Sequence, residues 1–220
     1  MHILLTGSTG LLGQGVLKAC LEAADVERIT VLVRRATGHR HAKLDEIVLN
    51  YFSHAATVQD RLAGIDACFY CAGAPPVGTP ERDYRHVTRE LTLAVARAYA
   101  SANPQGRFFY VSGARSDPHS RLMPLRVKGE TEVALQRLSV TTVMLRPVLI
   151  LPAEGTRSPH PLLRVLHTLA RPFERGMLGR LPAVATTNLA IGRAMLALAR
   201  DTHVPGVVEN PRINALGLHR

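Results

Sequence analysis

Six apolar runs constrain this chain more than any other feature. They occupy residues 2–6, 28–34, 46–50, 66–73, 107–113 and 140–148, and segments with helical spacing of apolar residues separate them. "HILLT", "RITVLVR" and "DACFYCAG" are almost uninterrupted, whereas a strand with one wet face alternates polar and apolar residues. Strands buried on both faces need helices on both sides, so strand–helix alternation predicts an α/β fold, a doubly wound parallel sheet. Helices are predicted over 11–24, 54–63, 81–102 and 124–138. Beyond residue 150 the alternation gives way to "LPAEGTRSPHP", with helices expected at 160–172 and 187–200. The stretch 151–220 is too short for a core of its own. It is expected to be a substrate-side extension of one domain, a small helical layer over the carboxyl edge of the sheet, where doubly wound folds bind ligands.

The first strand runs into "TGSTGLLGQG", which opens the first helix. Gly7, Gly10 and Gly13 suit three needs: a tight turn, close approach of backbone to a diphosphate, and close packing of helix on strand. The backbone N–H groups around Gly7, Ser8, Thr9, Gly10, Leu11, Leu12 and Gly13, with the helix N-terminus, then hold the phosphates. Strand, glycine turn and helix together indicate a dinucleotide site in a Rossmann fold. An NAD site usually has an acid about 20 residues further on, to accept from the ribose 2′-hydroxyl. Here "VLVRRATGHR" puts Arg34 and Arg35 in that place. Guanidinium groups suit a 2′-phosphate and have no acceptor for a hydroxyl, so NADP is expected over NAD.

Other readings fit less well. No apolar stretch reaches the roughly 18 residues needed to cross a bilayer. The N-terminus has no basic leader, so the expectation is a cytoplasmic chain without a membrane role. "CFYC" at 68–71 is spelled like a redox pair, but residues three apart on a strand point to opposite faces. The formal charge of +10 raises the question of nucleic acid. The arginines are scattered, and aromatics are 5% with no tryptophan, so stacking platforms are scarce and no specific nucleic acid is expected.

These motifs resemble a short-chain dehydrogenase/reductase of the extended or atypical kind: "TGSTGLLG", "DACFYCAG", "FFYVSGA", "RVKGETEVAL" and "LRPVLI". More narrowly, the chain is similar to small bacterial proteins of the NAD-dependent epimerase/dehydratase family, related to Tat-interacting-protein oxidoreductases. The similarity spans about residues 2–213. The resemblance implies that Cys71, Ala72 and Gly73 border the adenosine half of the cofactor. Pro147, Val148 and Leu149 would line the nicotinamide, and Ser112 would lie near the catalytic centre. It also implies a catalytic pair, a tyrosine and a lysine four residues later. The lysine is Lys128, which would bind the nicotinamide ribose, but Pro124 stands where the tyrosine belongs. Asp117 and His119, in the loop after the fifth strand, are substitute donors, an imidazole being a common group for proton transfer.

Two functions remain open on this reading. One is an NADP-dependent oxidoreductase or epimerase relative acting on a small carbonyl compound. The other is a catalytically silent NADPH-binding module that senses redox state and acts through a protein partner. A monomer is expected over a homodimer.

Overall fold

The computed structural model describes residues 1–153, 155–156 and 183–218. Its centre is a seven-stranded sheet in the order β3-β2-β1-β4-β5-β6-β9, with every neighbouring pair parallel. The strands are β1 (His2–Thr6), β2 (Arg28–Val33), β3 (Leu44–Val48), β4 (Ala67–Tyr70), β5 (Arg107–Val111), β6 (Thr141–Arg146) and β9 (Val207–Glu209). A separate parallel pair, β7 (Leu149–Leu151) and β8 (Ala185–Thr187), lies just beyond β6. The helices are α1 (Leu11–Glu22), α2 (Glu81–Arg85), α3 (Leu91–Ala102), α4 (Met123–Leu135), α5 (Asn188–Arg200) and α6 (Asn210–Gly217).

Side-chain alternation along each strand divides the core in two. Ile3, Leu5, Val31, Phe69, Phe109 and Val143 pack with α1, α5 and α6 on one face. Leu4, Leu32, Cys68, Tyr70, Phe108 and Met144 pack with α3 and the end of α4 on the other. Both faces are dry, as the continuous apolar runs require. Cys68 belongs to the second face and Cys71 packs against the first, and all three cysteines are free thiols.

Several elements differ from expectation. Residues 52–62 form a 3-10 helix in place of the regular helix read over 54–63. The long helix read over 81–102 contains a π-helical turn, His86–Glu90. There the Thr88 carbonyl accepts the hydroxyl of Thr92 at 2.7 Å, a bond also made in the regular helix α4 by Thr131, so it does not by itself explain the turn. The strand read over 66–73 stops at Tyr70, because the N–H groups of Cys71 and Ala72 leave the ladder for Thr6 Oγ1. The helix read over 160–172 lies outside the described residues.

The described C-terminal residues, 183–218, help build the core itself. Helix α5 buries Ile191, Ala194, Met195 and Leu198 against α1 and the sheet, and β9 supplies the seventh strand. The seat between α1 and α5 is narrow. A Cβ on Gly15 would lie 2.4 Å from the Asn188 side chain, and Asn188 Nδ2 donates to Leu11 O at 2.7 Å.

One ion pair joins helix to sheet. Glu132 of α4, 4% exposed, takes two hydrogen bonds from Arg146 at the end of β6, from Nε at 3.0 Å and Nη2 at 2.6 Å. Removing one partner of a buried pair strands the other charge and costs about 3 kcal/mol. A chain of this size shifts by about 2–4 °C per kcal/mol. Arg146→Met should therefore lower Tm by roughly 6–12 °C in a thermal melt. The exposed pair Arg28–Asp45 serves as control, and Arg28→Met should shift Tm by under about 3 °C. Equal shifts for the two variants would show that burial does not strengthen the Arg146 pair.

Candidate functional site

Because every strand of the sheet runs the same way, all their carboxyl ends meet along one edge. The residues singled out from the sequence lie there in spatial order. Arg34 and Arg35 follow β2, the glycine turn follows β1, Cys71–Gly73 follow β4, Ser112 follows β5 and Pro147–Leu149 follow β6.

The glycine turn is the tightest part. Gly7 has φ +71°, a left-handed conformation, and a Cβ there would lie 2.7 Å from Ala72 N. A Cβ on Gly13 would lie 2.0 Å from Gly7 O, so helix and strand touch backbone to backbone. Gly10 is different. It has an ordinary φ of −79°, and a Cβ on it would meet only Gly7 O, at 3.3 Å. A side chain at position 10 would press on that one carbonyl, which would have to give by a few tenths of an ångström, and it would also stand in the way of a ligand approaching the turn.

Helix α1 begins at this point with no side-chain cap and no acidic residue in its first turn. Its first N–H groups have no helical partner, and the helix dipole adds positive potential. The Ser8 hydroxyl is buried within the turn and has no hydrogen-bond partner among the described residues. A buried hydroxyl without a partner is costly, and a phosphate oxygen would satisfy it. These residues fit a dinucleotide diphosphate. Arg34 and Arg35 are exposed at the neighbouring strand end, clear of the glycine turn.

At the other end of the edge, Lys128 and Ser112 come together. Lys128 reaches back from α4 so that Nζ donates to Ser112 O at 2.5 Å. Burial lowers its pKa from 10.5 to about 8, and the Glu132 carboxylate one turn further along α4 partly opposes the shift. The Ser112 hydroxyl donates to Ser116 Oγ at 2.9 Å, and Ser116 donates to Gly113 O. Arg115, with φ +61°, turns the chain so that Ser116 returns beneath Ser112. Pro124 sits in the first turn of α4, where its missing N–H leaves no gap in the helix.

His119 is exposed. Its backbone N–H donates to Asp117 Oδ1, so the Asp117 carboxylate closes a local turn. Neither side chain touches Lys128 or Ser112 in the described contacts. Ser116, Glu132 and Arg146 were not singled out from the sequence, although Arg146 also donates to Ser116 O at 3.2 Å. Ser116 stands four residues after Ser112 in an irregular loop, and no periodicity marks it. The acid and base of the ion pair are fourteen positions apart on different elements.

Comparison with known proteins agrees with this geometry. The family described as the NAD dependent epimerase/dehydratase family matches residues 3–124, from β1 to the start of α4. The mitochondrial protein FMP52 of Eremothecium gossypii is 31% identical over 73% of this chain and 70% of its own. A UDP-glucuronic acid 4-epimerase from Bacillus cereus, solved with NAD, superposes with a TM-score of 0.68. It is 16% identical over 95% of this chain and 76% of its own. A short-chain dehydrogenase from Burkholderia cenocepacia J2315, solved with NADP, gives a TM-score of 0.64 at 18% identity, over 94% of this chain and 86% of its own. The family match covers more than half of the 220 residues and begins at the strand that opens the glycine turn. The chain belongs to the NAD dependent epimerase/dehydratase family.

Proposed function

We propose that the chain is an oxidoreductase that binds a nicotinamide dinucleotide along the carboxyl edge, NADP in preference to NAD, and acts on a small carbonyl compound. The observation that carries this reading is the turn at residues 7–13. Its backbone is built at contact distance, its Ser8 hydroxyl lacks a partner among the described residues, and the uncapped N-terminus of α1 opens onto it. When bound, the cofactor supplies or accepts a hydride. The chain's own part is to hold the diphosphate at Ser8 and the α1 N-terminus and the adenosine beside Cys71–Gly73. Lys128 and the residues after β6 hold the nicotinamide end.

Four apolar side chains lie exposed near the end of β6 and the start of α4. Leu122 opens α4, Val148 and Leu149 follow β6, and Val184 is hydrogen-bonded to Leu149 through the backbone; all four are exposed. Such a surface favours an apolar carbonyl compound. The second reading, a silent NADPH-binding module acting through a partner, draws on the absence of a tyrosine from position 124.

With no tryptophan in the chain, reduced-cofactor fluorescence can be titrated directly. NADPH should bind with a dissociation constant on the order of micromolar. Gly10→Asp should still fold, with a Tm somewhat below wild type, because its Cβ presses on the single carbonyl of Gly7. Its binding should be roughly a hundredfold weaker or worse, since like charges about 4 Å apart near a protein surface repel by about 4 kcal/mol. A wild type that leaves NADPH fluorescence unchanged at millimolar concentration would refute the reading.

Cofactor choice is tested at the end of β2. Arg34→Asp should lower the preference for NADPH over NADH by about tenfold or more, the loss of a hydrogen bond to a charged group. Tighter binding of NADH than NADPH by wild type would show that Arg34 and Arg35 are only surface charges.

A further inference from the structure

Reduction of a carbonyl needs a proton as well as a hydride, and the fold keeps every phenol away from the place of need. All five tyrosines are described. Tyr70, Tyr99 and Tyr110 are sealed in the core beneath α3, and Tyr84 is buried on α2. Burial raises the pKa of each of these four, so none releases a proton near neutrality. Tyr51 is exposed, but it follows β3 at the far side of the sheet from β5. The Ser112 hydroxyl is committed to Ser116, and His119 points to solvent without a contact to either.

We propose that Lys128 is itself the proton donor: its ammonium, held on Ser112 O beside Gly113, gives a proton directly to the substrate oxygen. The proposal rests on the reading of the edge as a dinucleotide site. The substrate carbonyl carbon takes a hydride from the reduced cofactor while its oxygen takes the proton from Nζ. C=O becomes CH–OH, the cofactor is left oxidised, and Lys128 is left as a neutral amine that recovers a proton from water. The reverse reaction uses the neutral amine as base.

The geometry supports this assignment in three ways. An ammonium has three protons, and Lys128 spends one on Ser112 O. Two remain, one for a ribose hydroxyl and one for a substrate. A Cβ at position 113 would stand 3.6 Å from Nζ, so glycine there leaves the space beside the ammonium free. Finally, the nearby acid is kept from neutralising it. Glu132 is the charged group that acts on Lys128, but both its oxygens are taken by Arg146, which faces it from β6. The loop after β5 presents the hydroxyls of Ser112 and Ser116, and its charged residues, Arg115 and Asp117, are exposed. The ammonium therefore keeps its proton at neutral pH yet is acidic enough to give it up. This also explains a lysine in a chain with 24 arginines and three lysines, because a guanidinium does not release its proton in this range.

The full chain allows a test with two independent readouts. Trace acetylation with acetic anhydride across a pH series, followed by peptide mass spectrometry, reports each of the three lysines separately. Lys128 should label with a midpoint near pH 8, well below a free-lysine peptide, and NADPH should protect it. With saturating NADPH and phenanthrenequinone or 4-nitrobenzaldehyde as probes, kcat should be level at low pH. It should then fall about tenfold per pH unit above roughly pH 8 as the donor deprotonates. Lys128→Arg keeps the charge and should hold NADPH within about threefold of wild type, with kcat reduced by about a hundredfold or more. A Lys128 midpoint equal to that of the reference peptide, turnover flat through pH 8, or bound NADPH that reduces neither probe would each overturn the proposal. So would wild-type turnover by Lys128→Arg. Failure of wild type to bind NADPH sinks the reading of the edge itself, and the titration separates that case from the others.

Discussion

The structure depends on a contact between two backbones. Gly7 O occupies the space that a side chain on residue 13 would need, so α1 lies directly on the end of β1. The same carbonyl accepts the N–H of Gly10, and Thr6 Oγ1, one residue earlier, accepts from Cys71 and Ala72 after β4. Two adjacent residues thus set the spacing of a strand, its helix and the next strand. Helix α5 then takes its position from α1, through the narrow seat at Gly15 and the bond from Asn188 to Leu11 O. An error of one methyl group at position 13 would propagate through the whole first core.

Electrostatics divides the remaining work. Exposed pairs such as Arg28–Asp45 contribute little, because solvent screens them. The pair between Glu132 and Arg146 is different because it is half sealed and bidentate, and because Arg146 also donates to Ser116 O. It fixes the far end of α4 to β6 and so fixes how far Lys128 can reach. The hydroxyl of Ser116, beneath Ser112, keeps that strand end from drifting. Lys128 is held by its surroundings at both ends, by its helix and by the carbonyl it donates to.

Much of this was legible in the sequence. Five of the first six strands were located because strands buried on both faces are long apolar runs. Strand β3, read at 46–50, begins at Leu44; Asp45 and Glu46 interrupt the apolar run of this half-exposed edge strand. The glycine turn was located because its backbone contacts leave no alternative residue at Gly7 or Gly13. Strand β9 was missed because "VVE" is three residues long and is held in extended form by its partner β6. The pairing of β7 with β8 joins residues more than thirty positions apart and has no local signal. The π-turn at His86–Glu90 shifts the helix by a fraction of a turn, which a hydropathy period does not report. At the site, Lys128 and Ser112 stood out by motif. Ser116, Glu132 and Arg146 did not, because their importance lies in contacts between distant elements. The substitute acids Asp117 and His119 suggested themselves by chemical type alone, and the structure leaves both at the surface.

The late position of α5 has a consequence for how the chain is made. A ribosome releases β1 and α1 first, yet the helix that covers the outer face of α1 begins only at Asn188. Val16, Ala19 and Cys20 therefore gain that cover only after Asn188 and the helix that follows it have been made. The glycine turn cannot be braced by Asn188 before then. A first half made without α5 leaves part of the first core uncovered, and exposed apolar surface of that kind favours aggregation. Closing the separation of 177 positions between Leu11 and Asn188 is slow beside the local contacts of each βαβ unit.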